Sequence, residues 1–101
     1  MQIRKTDNER ILEIAKKSFK TPVEIWAFGS RVKHTVSNGS DLDLTVINTT
    51  ASPNIKSYIA IFKENLKNSN IPIFVQVLDW DTIPENYKEE IKKNYELYFK
   101  N

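Results

Sequence analysis

The chain predicts a small α/β domain: a mixed sheet of about three main strands with helices packed on it. Two observations lead there. Apolar patterns of helical and of strand type alternate along the sequence, and each strand-type run is short and bounded by turn residues. A third sets the scale, because 101 residues suffice for one hydrophobic core and leave no length for a second domain, so residues 1–101 read as a single unit.

The elements follow in order. Thr6 with Glu9 has the form of a capping box, and Ile11, Leu12, Ala15 and Phe19 then share one helical face up to the stop at Thr21-Pro22. Val23 to Phe28 is rich in β-branched and aromatic residues and ends at Gly29, which predicts a strand carrying a Gly-Ser turn at its C-terminal end. Arg31 to Val36 is read as a short helix and Ser37 to Ser40 as a loop. Asp41 to Ile47 is the second strand. Ser52-Pro53 serves as N-cap and first helical residue of a helix whose Ile55, Tyr58, Ile59, Phe62 and Leu66 repeat at helical spacing until Asn68-Ser69-Asn70. Ile71 to Leu78 is a nearly continuous apolar run, the pattern of a strand covered on both faces. Thr82 and Glu85, flanking Pro84, open a last helix with Tyr87, Ile91, Tyr95 and Tyr98 on one stripe. These tyrosines and Phe99 are expected in the core, with a seat for a partner helix as the alternative for part of the stripe.

The chemistry concentrates between the first two strands. Side chains two apart in a strand share a face, so Asp41 and Asp43 converge while Leu42, Leu44 and Val46 point into the core. Two adjacent carboxylates repel, and a divalent cation between them is the simplest compensation. Gly29 lets backbone approach a ligand closely. Ser30 adds a hydroxyl and an N–H suited to phosphate oxygens. A phosphate cradle beside a metal dyad implies a nucleoside triphosphate. The alternative for the acidic pair alone is a solvated strand end or a turn cap, and it is the upstream Gly-Ser pair that argues against it.

Composition excludes several classes. Fifteen basic and thirteen acidic residues leave a net charge of +2, too little for a broad field that would attract nucleic acid. There is no cysteine, no apolar leader behind a basic start and no run of membrane-spanning length, so a reducing cytoplasm is the expected location and no membrane partner is expected. Oligomeric state is left open.

Gly29-Ser30, ten intervening residues and Asp41-x-Asp43, set in a strand-turn-strand context, resemble the signature of the DNA polymerase β-like nucleotidyltransferase superfamily. The short length and the tail from Ile73 to Trp80 followed by Ile83-Pro84-Glu85 are similar to its minimal nucleotidyltransferase group. The resemblance runs from Val23 to about Ile91. It implies a polymerase-β-palm-like fold and a magnesium-dependent enzyme moving a nucleoside monophosphate, AMP from ATP, to a hydroxyl with release of pyrophosphate. Asp41 and Asp43 would hold a two-metal site, and Gly29 and Ser30, with Arg31 and Ser40 beside them, would bind nucleotide. Lys33 and His34 are further candidates for the phosphate approach, or plain surface residues. The resemblance also implies a partner, a HEPN-domain toxin for which such proteins act as antitoxins by modifying a tyrosine.

One position departs from that family. The later strand usually carries a third carboxylate, and the corresponding residue here is Gln76 in Val75-Gln76-Val77-Leu78-Asp79-Trp80. A glutamine offers a carbonyl oxygen to a cation but accepts no proton. Asp79, three residues on, falls on the opposite face. The sequence therefore supports both an active transferase and a catalytically weak one that neutralises its toxin by binding alone. It also leaves open a buried structural role for Gln76. Transferases acting on aminoglycosides or nucleic-acid ends fit less well, since they need a further domain for the acceptor. Trp26 and Trp80 read as packing residues, with base stacking as the alternative.

Overall fold

The computed structural model describes residues 3–29 and 42–101. Helix α1 (Lys5–Ser18) leads into strand β1 (Glu24–Phe28); β2 (Leu42–Ile47) is followed by α2 (Ile55–Lys67), β3 (Val75–Asp79), a 3-10 turn at Trp80–Thr82, α3 (Glu85–Lys93) and β4 (Tyr95–Lys100). The sheet order is β3-β2-β1-β4. β1 is antiparallel to both β2 and β4, and β3 is parallel to β2, so the sheet is mixed as expected but has four strands.

The fourth strand corrects the last helix. Tyr95 and Tyr98 extend the helical stripe of Tyr87 and Ile91 on paper, yet the helix ends at Lys93, and Asn94 is extended at φ −148° and ψ 89°. The segment Tyr-Glu-Leu-Tyr-Phe is rich in β-formers. It pairs with the open edge of β1, with a bulge where Trp26 meets Leu97 and Ile25 meets Phe99. Asn101 pins the end: its Oδ1 accepts from the Val23 N–H at 2.8 Å, and its own N–H donates to the Val23 carbonyl.

Alternation along the strands divides the sheet into two faces. Ile25, Ala27, Leu42, Leu44, Val46 and Val77 point to α1 and α2, where they meet Ile11, Ala15, Phe19, Ile59, Phe62 and Leu66 in the main core. Phe19 and Phe62 touch at a centroid distance of 5.3 Å. The helices are also joined by Ser18, whose Oγ donates to the Ile14 carbonyl and accepts from Asn65 Nδ2. The other face carries Trp26, Phe28 and Leu78, which pack with Trp80, Ile83 and Ile91 under α3. Trp26 and Trp80 are thus packing residues, edge to face at 5.1 Å, with Tyr95 stacked on Trp26 at 4.2 Å.

Three helix starts differ from the sequence reading. α1 begins at Lys5 with Arg4 as N-cap, so Thr6 lies inside the helix and caps nothing. The first turn is held instead by Arg4, whose Nε donates to Asp7 at 2.9 Å and whose own pKa that hydrogen bond raises. α2 begins two residues after Pro53, with Asn54 as N-cap; Ser52 Oγ still accepts from the Asn54 N–H at 3.3 Å. α3 has Pro84 as N-cap without a side-chain cap, and Thr82 closes the 3-10 turn by donating to the Asp79 carbonyl. The third strand is also shorter than its apolar run. It lies at the sheet edge, and with Phe74 and Gln76 exposed it is not covered on both faces.

Candidate active site

The site is built where β1 ends beside β2. Phe28, the last residue of β1, is in register with Asp43, and Gly29 follows at φ +86°, a conformation that favours glycine. The reason for glycine is steric as well as conformational. A Cβ added at Gly29 would stand 2.5 Å from Asp43 Oδ2, closer than real contacts allow. The space a side chain would fill is therefore taken by the Asp43 carboxylate, and the glycine serves the acid directly.

Because Leu42, Leu44 and Val46 face the main core, Asp43 faces α3. In the parallel β2–β3 ladder its register partner is Gln76, so the amide and the carboxylate are neighbours on one face, about 5 Å apart from strand to strand. Gln76 is exposed, which removes the reading of it as a buried structural amide. Asp79 pairs with Val46 on the opposite face, and its Oδ1 accepts from the Asp81 N–H at 3.0 Å to cap the 3-10 turn. It cannot replace a carboxylate at position 76.

A cleft of about 120 Å³ opens at this point, lined by Phe28, Gly29, Asp43, Tyr87, Glu90, Ile91 and Asn94. Tyr87, Glu90, Ile91 and Asn94 recur at i, i+3, i+4 and i+7, one face of α3 and its C-cap. Tyr87 corrects an expectation: it is 44% exposed and forms a wall of the cleft, with its ring edge-on to Phe28 at 6.1 Å, and is not core. Glu90 pairs with Lys93 at 3.0 Å in solvent. Neither Tyr87 nor Glu90 was legible as a site residue, since their placement depends on which sheet face α3 covers. The only sequence signal was their helical spacing.

Ser30, Arg31, Ser40 and Asp41, with Lys33, His34 and the short helix read over 31–36, lie outside the described residues. Among the described residues no group of three or more His, Cys, Asp or Glu side chains is placed to hold a metal ion. What they do offer is two hard oxygen donors on adjacent strands, the Asp43 carboxylate and the Gln76 amide carbonyl. That set fits magnesium, which is commonly bound through one or two carboxylates together with substrate phosphates. A larger cavity of about 620 Å³ wraps the outer edge of β3 and is mostly apolar, with Gln76 on its border. It lacks the carboxylate and the glycine turn, which line the smaller cleft.

The family described as polymerase beta, nucleotidyltransferase matches residues 9–101, and the chain belongs to that family. The probable protein adenylyltransferase MntA of Haemophilus influenzae is 41% identical over 73 residues, covering 70% of this chain. The chain spans about 60% of the length of that curated relative. Among solved structures, a toxin–antitoxin crystallised with AMP-PNP superimposes with a TM-score of 0.70 at 17% identity, covering 93% of this chain and 73% of the other; at that identity the likeness bears on the fold.

Proposed function

We propose that this chain, as a polymerase beta family nucleotidyltransferase, transfers AMP from ATP to a hydroxyl on a partner protein, a tyrosine of a HEPN-domain toxin, and so acts as a cytoplasmic antitoxin. The observation that carries the reading is the seating of Asp43 in the space left by Gly29, at the end of a strand-turn-strand unit, with Gln76 in register beside it. The relative named as a protein adenylyltransferase supports AMP as the group moved, and the toxin–antitoxin neighbour supports a toxin as the partner.

In this reading Asp41 and Asp43 hold magnesium, and Gly29, Ser30, Arg31 and Ser40 receive the triphosphate. Magnesium, when bound, supplies charge neutralisation along the phosphates and lowers the pKa of the attacking oxygen. The chain's own part is to fix the α-phosphate against the cleft and to keep the acceptor in line with the departing pyrophosphate. Gln76 lends a neutral oxygen to this arrangement and takes no proton.

That neutral residue favours a second reading, a protein that binds its toxin and transfers slowly. Incubation of the purified chain with labelled ATP, magnesium and the toxin separates the two. Label on the toxin that is lost in Asp43→Asn supports the enzyme. A tight complex without label supports the binder.

A further inference from the structure

A tyrosine of the chain itself lines the cleft. Of the four tyrosines, Tyr87 is the one that lines the same cleft as Gly29 and Asp43. Tyr58 lies on α2 against the main core, Tyr95 is stacked on Trp26, and the Tyr98 hydroxyl is buried. Tyr87 is exposed enough to react, and its ring is held by the edge contact with Phe28, the residue in register with Asp43. The cleft, about 120 Å³ and open to solvent, has room for a reacting phosphoryl group beside Tyr87.

Three residues after Tyr87, on the same helical face, Glu90 also lines the cleft. Its carboxylate, which also accepts from Lys93 Nζ at 3.0 Å, can take a proton, as the Gln76 amide cannot.

We infer that Tyr87 is a self-modification site, adenylylated by the cleft of its own chain. The inference rests on the adenylyltransferase reading above. The phenol oxygen of Tyr87 forms a bond to the α-phosphorus of ATP, the bond from that phosphorus to the bridging oxygen of the β-phosphate breaks, pyrophosphate leaves with the electron pair, and the phenol proton passes to Glu90. No other reactant is consumed. A phenol suits this site better than an aliphatic alcohol, because it gives up its proton far more readily where the neighbouring strand provides no base.

The test uses the full chain with ATP and magnesium, read by intact-mass spectrometry and peptide mapping, with ATP binding measured by calorimetry in parallel. The expected result is a mass gain of one adenylyl group on the peptide containing Tyr87, formed at a rate per molecule that does not change with protein concentration. Tyr87→Phe should abolish the gain, Tyr58→Phe and Tyr95→Phe should retain it, and Glu90→Gln should slow it by about 10²-fold. A readout without turnover accompanies these: nitration of Tyr87 by tetranitromethane should slow when magnesium and an ATP analogue with a methylene between its α and β phosphates are present, whereas nitration of Tyr58 should not. Bound ATP with no adduct, an adduct on another residue, a rate that rises with protein concentration, or no protection of Tyr87 would overturn the inference and leave the adenylyltransferase reading standing. Failure to bind ATP at all would instead remove that reading, and this one with it.

Discussion

Replacing Gly29 by alanine probes the site through one atom. The new Cβ would stand 2.5 Å from Asp43 Oδ2, and the backbone at φ +86° is a region that a side chain disfavours. The backbone term is about 1–2 kcal/mol. The contact term is the cost of turning Asp43 away, about 0.5–1.5 kcal/mol for a side chain forced off its rotamer. Gly29→Ala should therefore lose about 1.5–3.5 kcal/mol, which for a domain of this size is a fall in Tm of about 6 °C or more. The two terms separate in a double-mutant cycle, because Asp43→Ala removes the contact and leaves the backbone strain. Denaturant unfolding of the four proteins should give a coupling of about 1 kcal/mol, with the double variant more stable than the sum of the single losses. Strict additivity would refute the claim that Gly29 is there to seat the Asp43 carboxylate.

Two further outcomes follow from the geometry. Gln76→Asp places a carboxylate in register with Asp43 and should destabilise the metal-free protein by up to about 1 kcal/mol, since the position is exposed; magnesium with ATP should reverse the loss and raise transfer, as melting curves and a labelled-AMP assay would report. Tyr98 is half-buried, with its hydroxyl buried and without a hydrogen-bond partner among the described residues, and burial pushes its phenol pKa well above the usual value. The unfolded chain ionises first, so stability should fall as pH rises through about 10, and Tyr98→Phe should flatten that slope in denaturation measured between neutral and alkaline pH.

How far the sequence reveals this molecule depends on whether a pattern has one interpretation. Leu42, Asp43 and Leu44 could alternate only as a strand with the acid off the core, and the structure has it so. Gln76 was singled out by the resemblance to the family's later strand, and the parallel register puts it beside Asp43. The tail was ambiguous because Tyr87, Ile91, Tyr95 and Tyr98 fit a helical stripe as well as a helix followed by a strand. The open edge of β1, a tertiary feature, decides for the strand. The same kind of information was needed for Tyr87 and Glu90, whose face of α3 becomes a cleft wall only once α3 lies over the Asp43 side of the sheet. Capping was misread at Thr6 because Arg4 and Asp7 hold that first turn through an ion pair.

The central claim is that Asp43 organises a magnesium–nucleotide site in the cleft beside Gly29. Calorimetric titration of ATP into wild type and Asp43→Asn, each with and without magnesium, tests it most directly. The account predicts magnesium-dependent binding in the wild type and its loss in the variant, with the variant still folded by circular dichroism. Equal ATP affinity for the two proteins in magnesium would contradict it.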